Sequence, residues 1–270
     1  MAKRKFHQTS SKKSPNKTKP TTRDRIQVEG RNPVVEALNA DRSFKRILID
    51  RKLPQKGKIL EIIKKARGRG IELEFTATGG LNYISETEGR HQGVIAILNK
   101  REQKTLKQIL EESRTNKKDV FFIILTAAED ERNLGAIIRT SSAAGVDAII
   151  VPHMKRSPVT PVVSRASAGA VEHIPVIAES IFQVLKTFSD YGIKIFAVEL
   201  GGTKTIYDVD LKGDVAIIIG GEDKGISTKI QENCEETLQI PMPGKAQSLN
   251  MSVAAALVIY EKIRQEKFRK

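Results

Sequence analysis

Cysteine and tryptophan are scarce in this sequence of 270 residues, which holds one cysteine, Cys234, and no tryptophan. A single cysteine cannot form an internal disulfide framework or a cysteine-rich zinc site, so disulfide-stabilised scaffolds and zinc-finger domains are excluded. The other aromatic residues are nine phenylalanines and four tyrosines. This composition disfavours an aromatic platform that stacks single-stranded bases.

Long apolar runs are also missing. None approaches the roughly 20 residues that cross a bilayer, and no signal peptide is visible. Hydrophobic residues still make up 39% of the chain, which at this length is enough for the cores of two globular domains. We therefore expect a cytoplasmic protein with no membrane partner.

Acidic residues are the third shortage, with 32 Asp and Glu against 46 Lys and Arg, for a net charge of +14. Such an excess indicates a polyanionic partner. Because the chain has few aromatic groups, we expect it to contact the phosphate charges of an RNA backbone and the shape of the RNA. Residues 1–25 carry +8 of this charge and almost no apolar side chains, which predicts a disordered basic tail. Its functional interpretation is a basic arm that adds non-specific affinity for RNA, and a solubilising tail or a transit peptide stays open as an alternative.

The rest of the chain predicts two α/β domains. Residues 26–99 combine short helical and strand patterns in a small domain, and the highly charged residues 100–118 form a linker with a helical patch. In residues 119–270, continuous apolar runs alternate with helical segments. This alternation is typical of a parallel sheet that is buried on both faces. The apolar runs are residues 120–126, 148–151, 193–198 and 215–219.

Ligands of such sheets bind beyond the carboxyl ends of the strands, and polar segments lie there. The first run is followed by residues 129–140, where we expect Asn133 to cap a helix that contains Arg139. The fourth run is followed by the glycine-rich turn of residues 220–225, which matches neither the dinucleotide fingerprint nor the P-loop. In a purely structural interpretation, Arg139 is only a solvated helix residue.

The third polar segment, residues 240–250, contains prolines and a glycine and leads into the last helix. That helix is predicted by an apolar stripe at spacings of four, four and three: Leu249, Val253, Leu257 and Tyr260. Polar groups at a helix N-terminus beside such a loop favour a small-ligand site. In the purely structural interpretation, Ser248 is the N-cap and Asn250 a first-turn residue.

The three polar segments resemble, in order and spacing, the three motifs of the SpoU/TrmH branch of the SPOUT RNA methyltransferases. The resemblance covers residues 120–266. It extends to residues 28–38 and 91–96, which are similar to a ribosomal-protein-like RNA-binding domain, and to residues 166–173, which are similar to the family's connecting segment. It implies a SPOUT parallel-sheet domain with a deep trefoil knot, a homodimer with the last helix near its interface, an S-adenosylmethionine cofactor and no metal.

The resemblance also implies roles for individual residues. The residues it places around the target ribose are Arg139, Asn133, Glu222, Ser248 and Asn250. Those it places around the cofactor are Gly220, Gly225, Ile240, Leu249 and Asn250. Because an arginine guanidinium stays protonated in proteins, we expect an electrostatic clamp from Arg139 rather than a base.

The function that follows is S-adenosylmethionine-dependent 2′-O-methylation of a guanosine ribose in large-subunit ribosomal RNA. The accessory N-terminal domain favours ribosomal RNA, and methylation of a transfer RNA ribose is the alternative within the same chemistry. A non-catalytic RNA-binding or ribosome-assembly protein is the alternative from another class. The presence of the motif residues argues against it: Asn133, Arg139, Ser248 and Asn250.

Overall fold

The structure is a computed structural model. It describes residues 26–100, 104–116, 118–128, 130–154, 157–221 and 225–268. The expected basic tail at residues 1–25 and the predicted site residue Glu222 therefore lie outside the described residues. Within them, no helix has both the length and the apolar character that a membrane crossing requires.

The N-terminal part of the described chain is a four-stranded sheet with helices. Strand β4 lies between β1 and β2 and is antiparallel to both, and β3 is parallel to β2 at the edge. Helices α1 and α2 pack together over its apolar face. The bounds are β1 Ile26–Glu29, α1 Arg31–Asn39, β2 Phe44–Asp50, α2 Lys58–Gly68, β3 Leu73–Thr76, α3 Thr78–Ile84 and β4 Val94–Leu98. The small α/β fold expected here is confirmed.

The C-terminal part is built on a seven-stranded sheet. Its order is β7-β6-β5-β10-β8-β11-β9, and every pairing is parallel, which confirms the predicted parallel sheet. The strands are β5 Phe121–Leu125, β6 Ala148–Val151, β7 Val176–Ala178, β8 Lys194–Val198, β9 Lys204–Thr205, β10 Val215–Ile219 and β11 Glu236–Gln239. The helices are α4 Leu106–Thr115, α5 Glu131–Ala144, α6 Pro161–Ala166, α7 Ile181–Asp190, α8 Thr228–Gln231 and α9 Met251–Lys267.

Alternate residues of each central strand enter opposite layers of the core. In β5, Phe121 and Ile123 pack in the layer that holds α5 and α9, whereas Phe122 and Ile124 pack in the layer that holds α4 and α7. This alternation explains why the sequence shows continuous apolar runs, since both strand faces are covered by helices.

Helix α4 lies inside the segment that the sequence predicts as a linker. The N-cap of this helix is Thr105, whose hydroxyl accepts a hydrogen bond from the Gln108 amide at 3.3 Å. Leu106, Ile109 and Leu110 are buried against the same face of the large sheet as α7. Part of the segment therefore belongs to the packing of the C-terminal sheet, and the exact domain bounds stay a prediction.

Candidate active site

Four parallel neighbours, β5, β10, β8 and β11, end at the same edge of the large sheet. The residues that follow them are Thr126, Gly220, Glu199 and Ile240. Two of these, Gly220 and Ile240, are predicted cofactor residues. Because parallel strands place their carboxyl ends side by side, the topology brings them to the edge where ligands of such sheets bind.

The glycine-rich turn after β10 is fixed to the end of β5. The Gly221 amide donates to Oγ1 of Thr126 at 2.9 Å, and that hydroxyl donates to the carbonyl oxygen of Gly225 at 3.2 Å. Gly225 has φ = +57°, and a Cβ atom there would overlap Oε1 of Glu199. Both the left-handed backbone and the lack of space therefore require glycine at this position.

Glu199 closes the turn from the β8 side. Its Oε1 accepts a hydrogen bond from the Ile226 amide at 3.1 Å, and its Oε2 accepts one from Nε2 of Gln231 at 2.8 Å. Sequence reasoning missed both Glu199 and Thr126. The signal was available, because Thr126 is the last residue of an apolar run and Glu199 directly follows one, so both stand at predicted strand ends.

The described part of this edge offers backbone groups and apolar surface, the two features that the adenosine group of the expected cofactor requires. A Cβ atom at Gly220 would approach the Gly225 backbone and the Ile226 side chain to 3.3 Å, so a larger residue would crowd the other end of the glycine-rich turn. Ile240 and Leu249 are half-buried and offer apolar surface. Among the described residues, no group of three or more His, Cys, Asp or Glu side chains is arranged to hold a metal ion.

Helix α5 starts earlier than the sequence predicts. Its N-cap is Asp130, whose Oδ1 accepts hydrogen bonds from the amides of Arg132 at 2.7 Å and Asn133 at 3.1 Å. The prediction that Asn133 caps this helix is therefore wrong. Asn133 is the third helical residue, and its side chain points to another element instead.

That element is the start of α9. Asn250 is the N-cap of α9, with its Oδ1 accepting from the Ser252 amide at 2.9 Å, so the structural interpretation of Ser248 as N-cap is wrong. Nδ2 of the same Asn250 donates to Oδ1 of Asn133 at 3.0 Å. The structure thus brings together one residue from the first polar segment and one from the third.

Unlike Asn133 and Asn250, the predicted site residues Arg139 and Ser248 are not joined to each other, and both are exposed. Arg139 is exposed on α5, opposite the buried side chains of Leu134, Ile137 and Ile138. Ser248 is exposed in the loop before α9. Neither side chain forms a hydrogen bond or ion pair to another residue in the part of the chain that the structure describes. Both are accessible to a bound molecule.

Comparison with known proteins gives matches over both parts of the chain. Residues 120–260 match the SpoU rRNA Methylase family, and residues 27–104 match the substrate-binding domain of RNA 2′-O ribose methyltransferases. The TrmH-family protein YacO of Bacillus subtilis is 32% identical over 88% of this chain and 95% of its own length. A TrmH-family protein of Staphylococcus saprophyticus is 32% identical over 91% of this chain and 98% of its own.

Solved structures share the fold. The SpoU methyltransferase AviRb of Streptomyces viridochromogenes, solved in complex with AdoMet, superposes with a TM-score of 0.77 at 22% identity and covers 92% of each chain. An RNA 2′-O ribose methyltransferase superposes with a TM-score of 0.74 at 24% identity and covers 90% of each chain. With two family matches and relatives aligned over nearly their full length, the chain belongs to the SpoU/TrmH family of RNA methyltransferases.

Proposed function

We propose that this protein methylates the 2′-hydroxyl of a guanosine ribose in large-subunit ribosomal RNA, with S-adenosylmethionine as the methyl donor. The observation that carries the proposal is the hydrogen bond between Asn133 and Asn250, because it joins the helix of Arg139 to the loop beside the sheet edge. The AdoMet complexes of AviRb and of an rRNA methyltransferase from Sinorhizobium meliloti support the choice of cofactor.

When bound, S-adenosylmethionine supplies an electrophilic methyl group on a positively charged sulfur. The residues proposed to hold it at the sheet edge are Gly220, Gly225, Ile240, Leu249 and Asn250. The backbone groups of the two glycines would recognise the adenosine, and the two apolar side chains would cover its flat faces. Thr126 and Glu199 do not need to touch the cofactor, since they fix the glycine turn through the hydrogen bonds already described.

At the ribose, the chain has to align a hydroxyl oxygen with the methyl carbon and to tolerate the loss of the hydroxyl proton. We assign Arg139 the role of a clamp on the adjacent phosphate or the developing alkoxide, since a guanidinium forms paired hydrogen bonds to such oxygens. The proton passes to water or to a phosphate oxygen. Asn133, Glu222, Ser248 and Asn250 would position the ribose around the clamp.

A second candidate substrate is a transfer RNA ribose, because the relatives' own names include both tRNA and rRNA. Ribosomal RNA is favoured by the extra domain, whose match is a substrate-binding domain. The reaction would take place in the cytoplasm, where these RNAs occur. The deep trefoil knot stays a prediction from the family resemblance.

The test is ribose-methylation mapping of ribosomal and transfer RNA from cells that lack the protein and from cells that carry Arg139→Ala. Loss of the same large-subunit site in both strains is the expected result. Loss of methylation at a transfer RNA position would support the proposed reaction but show that transfer RNA is the substrate. An unchanged map in both strains would favour the non-catalytic RNA-binding or ribosome-assembly alternative.

A homodimer through α9 is part of the proposal. The stripe that predicts this helix does not face the core of its own chain, because Val253, Leu257 and Tyr260 are 47%, 40% and 52% exposed. The opposite face is buried and contains Ala255, Val258 and Ile259. A helix with apolar side chains on both faces needs a second partner, and an identical chain would cover the exposed stripe.

A further inference from the structure

One short segment contacts both the substrate-binding domain and the helices of the SpoU methylase domain. This segment, residues 160–173, is called the joint segment below; it contains α6, a turn and a 3-10 turn at Ala170–Glu172. It packs against α5 on one side and against α1 and β1 on the other. A segment that touches both domains can fix the angle between them.

On the α5 side the contact is very close. A Cβ atom at Gly135 would overlap Cβ of Ala166 and would lie 3.0 Å from the Ser167 amide nitrogen. The hydroxyls of Ser141 on α5 and Ser164 on α6 are buried without a hydrogen-bond partner among the described residues. Small residues let the two helices approach without intervening side chains, so a shift of the joint segment would displace α5, which carries Arg139.

On the substrate-binding side the approach is equally close. Gly169 has φ = +91°, and a Cβ atom there would lie 2.6 Å from Cβ of Glu36 and 3.1 Å from Cα of Pro33. The preceding Ala168 also has a positive φ, of 55°. An alanine rarely adopts this conformation, and such strain persists where the surrounding structure imposes it. The turn is therefore shaped by the fit between the two domains.

A buried ion pair crosses the boundary beside this turn. Nη1 of Arg42 lies 2.6 Å from Oε2 of Glu172, and the side chains are only 11% and 4% exposed. Arg42 is itself held in the substrate-binding domain, because its carbonyl oxygen accepts a hydrogen bond from Nη2 of Arg69 at 2.8 Å. A second contact joins Nε2 of His173 to Oε2 of Glu36 at 3.0 Å.

Buried ion pairs contribute little net stability compared with apolar replacements, but their short, directional contacts specify one geometry. We propose that Arg42 and Glu172 are positioning residues, which fix the substrate-binding domain at the angle that delivers one ribose to Arg139. This inference rests on the proposed RNA methyltransferase function. An RNA held by that domain then has only one nucleotide at the right distance from the clamp, so the pair contributes to target selection as well as to rate.

The test uses a charge reversal and its rescue. Glu172→Lys places two cations together and separates the domains, whereas R42E/E172K restores an ion pair in the opposite sense. Glu74→Lys is the matched control, because Glu74 pairs with Arg46 at 3.0 Å inside the substrate-binding domain and undergoes the same change of charge. Tm measurements on all variants identify any that fail to fold.

The first readout does not depend on activity. Spin labels are attached to cysteines introduced at Lys64 on α2 and Lys186 on α7, both exposed, in a Cys234→Ser background. The labelled chain is diluted with unlabelled protein so that each assembly contains one labelled copy. We expect one narrow distance in the parent, Glu74→Lys and R42E/E172K proteins, and a broad distribution in Glu172→Lys. A broad distribution in the parent, or an unchanged one in Glu172→Lys, overturns the proposal.

The second readout is turnover on the RNA identified by methylation mapping. In Glu172→Lys we expect kcat to fall about tenfold to a hundredfold, the loss that misplacement of reacting groups produces, while the Kd for S-adenosylmethionine stays unchanged. R42E/E172K should recover most of the loss. Equal turnover in Glu172→Lys and the parent at the same nucleotide overturns the proposal, as does a loss that the reversal does not rescue. If the parent protein is inactive on every RNA, the proposed function is wrong. The spin-label distances would still test whether the Arg42–Glu172 pair fixes the angle between the domains.

Discussion

Nδ2 of Asn250 donates a hydrogen bond to Oδ1 of Asn133 at 3.0 Å, across 117 positions of sequence. The same Asn250 caps α9 through its Oδ1. One side chain therefore performs two tasks, since it starts the last helix and fixes that helix to the first turn of α5. The two tasks use different atoms, so substitutions can separate them.

Asn250→Ser is expected to keep the cap and lose the bridge, because serine caps helices about as well as asparagine but is too short to reach Asn133. Asn250→Ala loses both. We expect both variants to lose tenfold or more in turnover, and only the alanine variant to lose about 1 kcal/mol of stability. Steady-state kinetics and thermal unfolding measure the two effects. Parental turnover in Asn250→Ser would show that the bridge has no part in the reaction.

Glu199 is expected to act on cofactor binding without touching the cofactor. Glu199→Ala leaves the buried Ile226 amide without its acceptor, which costs about 1–3 kcal/mol at the glycine turn. We expect calorimetry to show S-adenosylmethionine affinity reduced about tenfold or more. The matched control is Glu179→Ala, because Glu179 follows β7 at the far end of the same sheet edge. Equal affinities in the two variants would contradict the role of Glu199.

The strand pattern of the large sheet is largely readable from the sequence, because β5, β6, β8 and β10 are buried on both faces and leave continuous apolar runs. The other three strands are not readable in this way, since β7, β9 and β11 have only two to four residues, and β9 and β11 include polar ones such as Lys204 and Glu236. Strands that short form because neighbouring strands offer backbone partners, and local composition does not record this.

For the site, sequence motifs identify which segments matter but not how each side chain is used. The start of α5 is mispredicted because both Asp130 and Asn133 are good capping residues and no apolar residue between them marks the helix boundary. The pairing of Arg42 with Glu172 joins residues 130 positions apart. A contact at that separation depends on how two domains pack, and no periodicity predicts it.

Acid stability should depend on Asp50. The Thr78 hydroxyl, at 2.6 Å, and then the Lys52 amide donate to its carboxylate and lower its pKa below the usual value. A carboxyl with a lowered folded-state pKa stabilises the protein above its unfolded pKa of about 3.9, and this contribution is lost as pH falls through the folded value.

The stability difference between the parent and Asp50→Asn is therefore expected to be constant from neutral pH to about pH 5 and to shrink below about pH 4. Urea unfolding over that pH range measures it. Thr78→Val removes the hydroxyl that is the largest cause of the lowered Asp50 pKa, at nearly constant side-chain volume. The stability contributed by Asp50 should then be lost at a higher pH. A pH-independent difference in Asp50→Asn would contradict the assignment.

The dimer proposed through α9 should be sensitive to charge on its exposed stripe. Leu257→Lys replaces a side chain that the partner would bury, and the lost apolar burial alone is about 1.5–3 kcal/mol, or roughly tenfold to a hundredfold in dimer affinity. Phe182→Lys is the control, because Phe182 is 54% exposed on α7 in the other helical layer. Analytical ultracentrifugation should show weakened association for Leu257→Lys alone. Weakening by Phe182→Lys instead would move the interface to α7.

Arg139 provides the most direct test of the chemistry. Arg132 lies seven residues earlier on the same exposed face of α5, about 10 Å away along the helix axis, so it serves as a control with the same residue type and exposure. Lysine keeps the positive charge but cannot form the paired hydrogen bonds of a guanidinium.

We therefore expect Arg139→Lys to lose about a hundredfold or more in kcat. S-adenosylmethionine affinity should be retained, because the cofactor site proposed above lies at the sheet edge and not on the exposed face of α5. Arg132→Lys should change only the affinity for RNA, and by less than tenfold, as a single phosphate contact would. Single-turnover kinetics with saturating RNA separates the two effects. Unchanged turnover in Arg139→Lys would show that charge alone suffices, and the assignment of a bidentate clamp would then be wrong.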